Sequence, residues 1–347
     1  MKKITRRTVL RASGLAAASL ALSGCAPTGS ACVGNGFSDW LQQTLGKSDG
    51  AVSSESTEAA APDAGAASEA PAESADSSLP AYNADPLTGE PRRSNGRIVG
   101  VMVNNISNTQ RQNARPQRGI GSADLLIESK VEGGISRFCA VYHDANAIPE
   151  VGPLRSGRDQ FLQLLMPWQA LYYHDGESAP CTKFINVYHY SGLNIGGKSY
   201  FNTTTHPHVA HRDSRGRNVA YEHTEFTSGA EIRQAAANAG IGLEYPYEST
   251  FFRFADYRTG AENKMSGAAA AKTINIVHSD SYKTTFSYNR WERLYKMSMY
   301  SRADGAFENT VDELTGKQLG FTNLLVCFAG IADYPGNSGG VQQVDYA

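Results

Sequence analysis

The sequence predicts a mixed α/β fold, in which helices pack on a layered sheet, followed by a second, smaller lobe rich in β-strands. Short apolar runs with β-branched residues, such as residues 97–104 (RIVGVMVN), predict core strands. Two segments with helical spacing of apolar residues open with capping-box patterns. Beyond Gly240 only strand-like runs follow, separated by turn residues. Because the chain stops in a strand-like stretch after Gly340, we expect this lobe to be incomplete at its C-terminal end.

The first half of the folded region is predicted to contain a β-hairpin. Residues 125–131 and 135–143 have strand character and flank a Glu-Gly-Gly turn at 132–134. In such a hairpin Arg137 lies just beyond the turn, within reach of Glu132 or Glu128. The segment therefore brings charged side chains of both signs together.

Two helices and further strands are expected after the hairpin. Ser156 with Asp159 fits a capping box and predicts a helix that begins at Ser156, whereas Ser228 with Glu231 predicts a helix that ends at Gly240. Additional strands are predicted at residues 170–174, 184–190, 273–278, 284–288, 294–300 and 322–328.

Residues 1–25 have the pattern of an export signal that ends in a lipidation site. A basic start containing Arg6 and Arg7 precedes a short alanine-rich run, as in twin-arginine signals, and Leu-Ser-Gly-Cys at 22–25 resembles the lipobox of bacterial lipoproteins. We expect Cys25 to carry palmitate-type acyl chains and to anchor the protein on the extracytoplasmic face of the cell membrane. An ordinary secreted protein with an incidental cysteine is the alternative.

Residues 26–93 predict a disordered acidic linker, because they contain few large apolar residues and many acidic ones. From Ser94 onward acidic and basic residues balance, which argues against a nucleic-acid-binding surface. The folded part is expected to divide into an α/β domain at 94–240 and a β-rich domain at 241–347.

A group of arginines is the sharpest chemical feature of the sequence. Guanidinium groups beside a helix N-terminus suit a carboxylate or phosphate, because they supply several directed N–H donors. The predicted ligand-binding residues are Arg115, Arg137, Arg155, Ser156 and Arg158, with Arg118 nearby. The alternative is an internal ion network, in which the arginines pair with Asp124, Glu128, Glu132 and Asp159.

Two side chains are candidates for catalysis. Glu128, together with Asp124 or Glu132, could form an acid/base pair of the kind that cleaves glycosidic bonds, and His174 precedes an Asp-Gly-Glu-Ser loop. Nearby arginines would lower the carboxyl pKa values and hinder a general acid. Ser156 as a nucleophile is disfavoured, since the sequence has no G-x-S-x-G pattern.

The metal and nucleotide motifs are weak. His206, His208 and His211 are close enough in sequence to be metal ligands, but no recognised signature is completed. Residues 192–199 formally match a P-loop, although the residues that follow are poor helix formers, so neither a nucleotide nor any other cofactor is expected. Cys139, Cys181 and Cys327 either include one disulfide or are all unpaired.

Several motifs together resemble the YerB-like bacterial lipoproteins, a family named as domain of unknown function 3048. The resemblance covers residues 97–327 and rests on VMVNN, ARPQRGIGSADLLIESKVEGGISRF, GPLRSGR, HDGES and HRDSRGRNVAYEHTEF. It implies a two-part mixed α/β fold, an envelope location and no established activity. This chain has HDGES where the family pattern is closer to H-x-G-G-S, and His223-Thr224 where a histidine-asparagine pair is usual.

Taken together, these patterns favour a membrane-anchored binding or accessory module for an anionic or peptide-like cell-envelope ligand. Two alternatives are a hydrolase or transferase acting on cell-wall polymer, with Glu128 and His174 as its candidate residues, and a structural partner of another envelope protein.

Overall fold

The computed structural model describes residues 83–187, 200–201, 209–245, 252, 254, 268–334 and 340–345. Cys25, the P-loop-like segment, His206 and His208 lie outside these residues. The α-helices within them are α1 (Asp159–Leu165), α2 (Ala179–Val187) and α3 (Gly229–Ala239). The strands of the first half are β1 (Val99–Val103), β2 (Leu125–Lys130), β3 (Ser136–Tyr142), β4 (Leu171–Tyr173), β5 (Tyr200–Phe201), β6 (His211–Arg212) and β7 (Glu225–Phe226).

The strands of the second half follow α3. They are β8 (Thr273–Ser279), β9 (Tyr282–Asn289), β10 (Leu294–Ser301), β11 (Ala306–Asn309), β12 (Val311–Asp312), β13 (Lys317–Gln318), β14 (Gly320–Phe321), β15 (Gly330–Asp333) and β16 (Gln342–Asp345).

The central sheet is mixed and has the strand order β2-β3-β1-β4-β5. Strand β1 pairs antiparallel with β3 and parallel with β4. Every residue of β1 is buried, as expected for a strand covered on both faces. The predicted mixed α/β fold is confirmed, with a low helix content.

Different elements cover the two faces of the central sheet. Alternation along the strands points Val101 and Phe138 to one face, which packs against α3 and residues of the second half. The other face presents Met102 and Val141 to α1 and α2. Phe161 of α1 is completely buried on this second face, where burying one such side chain contributes about 1.5–3 kcal/mol.

Gly100 of β1 lets α1 approach the sheet closely. A Cβ atom at this position would lie 2.6 Å from Cδ1 of Leu165 and 3.0 Å from Sγ of Cys139. Any side chain larger than hydrogen would therefore force the Leu165 side chain of α1 to move.

The second half forms an antiparallel sheet with the order β11-β10-β9-β8, and β14 also pairs with β10. Met297, Met299 and Phe286 of this sheet are buried in the same apolar cluster as Val101 and Phe138 of the central sheet. The second, β-rich region predicted from the sequence is thus packed directly on the first. Three short hairpins complete the strands: β6–β7, β12–β13 and β15–β16.

The helix predicted at Ser228 is confirmed in detail. The Ser228 side chain accepts a hydrogen bond from the backbone N–H of Glu231 at 3.3 Å and caps α3. The helix ends at Gly240, whose φ of 66° suits glycine.

The helix start predicted at Ser156 is wrong, because α1 begins at Asp159 and Arg158 is its N-cap. Residues 155–157 instead make backbone contacts with neighbouring segments. The N–H of Arg155 donates to the Met102 carbonyl at 3.1 Å, and the N–H of Gly157 donates to the Gly176 carbonyl at 2.9 Å. These tertiary partners outweigh the local capping pattern and keep the residues before Arg158 out of the helix.

Two predicted strands are also wrong. Residues 184–187 belong to helix α2, because Ser178 accepts a hydrogen bond from the Cys181 N–H at 3.2 Å and the i, i+4 pair Cys181 and Ile185 faces the core. Residues 322–328 form no strand, and Leu325 and Phe328 are exposed. Neighbouring strands to bury these apolar side chains are lacking within the described part of the chain.

All three described cysteines are free thiols. Cys139 and Cys181 are buried, and Cys327 is exposed, so the alternative without a disulfide among them holds. Burial raises the pKa of the Cys139 and Cys181 thiols well above the ordinary range. Among the described residues, no helix is both long and apolar enough to cross a membrane.

Candidate functional site

The C-terminal end of β1 leads to a buried polar junction between the two large sheets. Asn105 is completely buried there and uses its side-chain amide in both directions. Its Nδ2 donates to Ser136 Oγ at 2.8 Å, and its Oδ1 accepts from Arg115 Nε at 3.0 Å and from Gln117 Nε2 at 2.9 Å. Asn105 therefore fixes the orientation of two polar side chains from the loop after β1.

Arg115 reaches from this loop to the second sheet. Its Nη1 donates to the carbonyl of Tyr300 at 2.9 Å, and its guanidinium carbon lies 5.9 Å from the ring centroid of Tyr282. Burial lowers the pKa of Arg115, and the charges of Tyr282 and Glu128 offset this only in part. The remaining nitrogen, Nη2, is buried and has no hydrogen-bond partner among the described residues.

A cavity of about 280 Å³ lies beside Arg115, between the loop after β1 and the strands of the second half. Gln117 and Thr310 also line it, and Gln117 Oε1 and Thr310 Oγ1 are buried without a hydrogen-bond partner in the part of the chain that is described. Buried polar atoms without partners are rare in folded proteins. The cavity is lined by Asn113, Arg115, Pro116, Gln117, Met299, Glu308, Asn309, Thr310 and Val311.

Glu128, a predicted catalytic candidate, lies in the same polar junction. Its carboxylate accepts hydrogen bonds from Ser136 Oγ at 2.6 Å and Thr284 Oγ1 at 2.9 Å, and His278 Nε2 lies 3.3 Å away. Burial raises the pKa of Glu128, but the hydrogen bonds of these three neighbours and the charge of His278 outweigh burial and lower it. The carboxylate is therefore ionised at neutral pH, which suits a structural anchor better than a general acid.

His174, the second catalytic candidate, is completely buried at the end of β4. Its Nδ1 lies 2.6 Å from the Gly176 carbonyl and its Nε2 lies 3.8 Å from Glu177 Oε2. The ring also packs on Tyr172, with ring centroids 4.7 Å apart. These contacts hold the HDGES loop, and the buried ring offers no surface to a polymer.

Arg137 and Arg158 share one carboxylate. Arg158 donates to Glu132 through both Nε, at 3.0 Å, and Nη2, and Arg137 Nη2 lies 3.5 Å from the same carboxylate. Burial raises the pKa of Glu132, but the Arg158 hydrogen bond and both positive charges lower it to about 2. Burial and the charge of Arg158 lower the pKa of Arg137 to about 9.

The remaining residues of the predicted helix-start site are also engaged by the protein. The Ser156 carbonyl accepts from Arg137 Nη1, and the Arg158 N–H donates to the Tyr172 hydroxyl at 2.9 Å. Arg155 Nη2 lies 2.7 Å from Glu222 Oε2, with the Arg155 side chain about one-third exposed. These arginines lie apart from the residues that line the cavity.

His223 is the histidine of the HRDSRGRNVAYEHTEF motif. It is completely buried, with Nδ1 3.1 Å from Asn104 Nδ2 and Nε2 2.8 Å from Gln112 Oε1. Burial lowers its pKa, and the nearby positive charge of Arg155 acts in the same direction. The neutral ring braces the loop after β1.

His211, a predicted metal ligand, bridges two carboxylates. Its Nδ1 lies 2.9 Å from Glu231 Oε1 and its Nε2 lies 3.2 Å from Glu150 Oε2. Both ring nitrogens thus face acceptors, as in an ion pair rather than a ligand set. Within the described ranges, no group of three or more His, Cys, Asp or Glu side chains could hold a metal ion.

We expect His211→Gln to destabilise the protein more at about pH 5 than at about pH 8. Burial lowers the pKa of His211, but Glu231 and Glu150 outweigh burial and raise it. The stabilisation is fully present below the unfolded pKa of about 6.5 and is lost as pH rises through the folded pKa. Thermal midpoints of both proteins across this range measure the difference, with exposed Arg233→Gln as the control. A difference that grows with pH would contradict the prediction.

Sequence reasoning missed four residues of the junction: His278, Thr284, Glu308 and Thr310. All four belong to the second half, and their contacts with Glu128 or the cavity depend on how the two sheets pack. The alternation of side chains along β8 and β9 indicates which face of the sheet His278 and Thr284 lie on. The sequence pattern alone does not identify what lies on that side.

Comparisons with known proteins agree with this architecture. A family model described as "Protein of unknown function (DUF3048) N-terminal domain" matches residues 87–242. A protein of Bacillus subtilis (strain 168) named "Putative lipoprotein YerB" is 28% identical over 250 residues, which cover 70% of this chain and 66% of that relative. The crystal structure of Bacillus subtilis YerB shares the fold, with a TM-score of 0.56 and 22% identity over 76% of this chain and 80% of that one.

The fold defines a mixed α/β protein whose central sheet carries a separate β-rich region. The resemblance predicted from the motifs is confirmed, since the DUF3048 N-terminal domain model matches residues 87–242 and the chain is similar in sequence and fold to Bacillus subtilis YerB. The relative's name is that of a lipoprotein, the class that the Leu-Ser-Gly-Cys motif predicts here.

Proposed function

We propose that this chain is a lipid-anchored binding module on the extracytoplasmic face of the cell membrane and recognises an anionic or peptide-like ligand of the cell envelope. The signal with Arg6 and Arg7 would export it, and acylated Cys25 would anchor it. The lipoprotein name of the Bacillus subtilis relative supports the anchoring.

The observation that carries the binding proposal is the cavity beside Arg115. A guanidinium N–H that is buried without a partner among the described residues is a strong donor held ready for an anion. The residue is held in place by Asn105 and Tyr300, so the donor is preorganised. Its buried position also strengthens an interaction with a negatively charged ligand group.

The other predicted ligand contacts have different proposed roles. Arg137 and Arg158 serve the internal ion network better, because Glu132 already pairs with both. Their part is to hold the segment that contains Ser156. Arg155 is proposed as a surface contact, since its side chain is more exposed than those of Arg137 and Arg158 and pairs with Glu222.

The wall-hydrolase alternative has less support. Glu128 is ionised and accepts hydrogen bonds from Ser136 and Thr284, and His174 is completely buried. A general acid needs a raised pKa and access to the bond that it protonates. Neither candidate combines these two properties.

A ligand-dependent thermal shift tests the proposal. Purified full chain in detergent micelles is titrated with a soluble digest of purified cell-wall material. We expect the thermal midpoint to rise by a few degrees at saturation, because a ligand at about 100 times its Kd adds about 2.7 kcal/mol. Arg115→Gln should lose the rise, whereas exposed Arg233→Gln, the matched control, should keep it.

Two outcomes would overturn the proposal. A midpoint that is unaffected by the digest excludes binding of these fragments. Release of new fragments during incubation of the full chain with intact wall material would instead favour the hydrolase.

A further inference from the structure

The cavity beside Arg115 contains complementary groups of both charges. Arg115 lines it, and Arg115 Nη2 is a buried N–H donor without a partner among the described residues. Glu308, which lies on the exposed strand β11, also lines the cavity and contributes a carboxylate. Each of the two charges shifts the pKa of the other, yet these two described side chains do not form an ion pair with each other. A ligand that carries both charges could satisfy them at once.

Two neutral lining groups add to this pattern. Gln117 Oε1 is an acceptor, because Gln117 Nε2 already donates to Asn104 O and Asn105 Oδ1. Thr310 Oγ1 can both donate and accept. Both atoms are buried and unpartnered within the described part of the chain. A carboxylate matches Arg115 and the Thr310 hydroxyl, and an ammonium group matches Gln117 Oε1 and Glu308.

The surroundings of Glu308 favour a cation beside it. Burial and the neighbouring Asp304 carboxylate raise the pKa of Glu308, whereas Arg115 lowers it. Asp304 is already held by Ser301 Oγ and by Gln110 Nε2 at 2.8 Å. An ammonium group next to Glu308 would relieve the repulsion between the two carboxylates. The same carboxylates disfavour a simple anion such as free phosphate.

Size and apolar lining fit a small ligand. The volume of about 280 Å³ is just below the range of small-molecule sites, which span about 300–1,000 Å³. Met299 and Val311 supply apolar surface between the polar groups. Such a space suits a single amino acid or the end of a short peptide.

We propose that the cavity binds a zwitterionic amino acid or short peptide, with its carboxylate on Arg115 and Thr310 and its ammonium group on Glu308 and Gln117. This inference rests on the proposed function and names the ligand class of the same site. It predicts that both charges of the ligand contribute to binding.

Three forms of one dipeptide test the proposal by isothermal titration calorimetry on the full chain in micelles. The probes are free alanyl-alanine, the N-acetylated dipeptide, which lacks the ammonium group, and the C-amidated dipeptide, which lacks the carboxylate, each prepared as the L,L and the D,D isomer. We expect at least one free dipeptide to bind and each blocked form to bind at least tenfold more weakly.

Two variants assign the charges to residues. Arg115→Gln should abolish the preference for the free over the amidated dipeptide. Glu308→Gln should abolish the preference for the free over the acetylated dipeptide, and it should fold normally because Glu308 is exposed. Glu292→Gln, another exposed glutamate that pairs with Lys296, is the matched control and should keep both preferences.

The outcomes separate this inference from the proposed function. Equal binding of all three forms, or preferences unchanged in Glu308→Gln, overturns the zwitterion assignment. Binding of the wall digest without binding of any dipeptide also overturns it, while the proposed function stands. If neither the digest nor the dipeptides bind, both proposals fail.

Discussion

Glu132→Gln is expected to reduce the free energy of unfolding by about 3 kcal/mol. The substitution keeps the size of the side chain but removes the one charge that Arg137 and Arg158 share. Arg137 is buried, and its lowered pKa of about 9 reports the cost of holding its charge there. Without Glu132 two neighbouring guanidinium groups would repel each other in a poorly hydrated site. Urea denaturation at neutral pH measures the change.

The pH dependence of the same carboxylate provides a second readout. Its folded pKa of about 2 lies below the unfolded value, so its contribution is present above about pH 4.3 and is lost as pH falls toward the folded pKa. In Glu132→Gln this part of the acid sensitivity should disappear. Glu292→Gln, whose partner Lys296 is on the surface, should change stability by less than about 1 kcal/mol. Equal losses in the two variants would contradict the network.

Asn105→Ala is expected to lower both stability and ligand binding. The substitution leaves Arg115 Nε and Gln117 Nε2 without their shared acceptor and Ser136 Oγ without its amide donor. Leaving one buried polar group unsatisfied costs about 1–3 kcal/mol, so a total loss of about 3 kcal/mol is expected. Because Arg115 would lose its orientation, the apparent affinity for the wall digest, measured by the thermal shift, should fall at least tenfold.

The matched control for this prediction is Asn146→Ala. Asn146 is exposed, and its side chain accepts one hydrogen bond from Arg233 at 2.9 Å. It should change stability by less than about 0.5 kcal/mol and leave the ligand response intact. If Asn105→Ala loses stability but binds the digest as tightly as the wild type, Asn105 does not position Arg115 for binding.

The sequence predicted those parts of the fold whose cause is local. Strand β1, the β2–β3 hairpin and helix α3 follow from a short apolar run, a glycine turn and a capping serine, which act within a few residues. The same reasoning failed at Ser156, where the capping pattern is present but the backbone of Gly176 and Met102 competes for the preceding residues. The strand prediction for residues 184–187 also failed, because a short apolar run occurs in both helices and strands.

The candidate site was only partly predictable. Arg115 is predicted as a binding residue because it belongs to a group of arginines, and Glu128 is predicted as a charged residue of the hairpin. Their partners Thr284 and Tyr300 lie more than a hundred residues further along the chain, as does Thr310, which lines the cavity. A single sequence contains no periodic signal for such pairs, because they arise from the packing of one sheet on another. Arg155 likewise pairs with Glu222 rather than with an acidic residue close to it in the sequence.

The hydrogen bond from Arg115 to the Tyr300 carbonyl has a consequence for how the protein unfolds. The two sheets share this bond, the Ser107–Ser301 hydroxyl contact at 2.9 Å and one apolar cluster. Separating them would expose Phe286 and Met299 to water and would break the hydrogen bond from Thr284 to the Glu128 carboxylate. The sheets should therefore melt in a single cooperative transition, and a ligand in the cavity between them would raise the temperature at which both are lost.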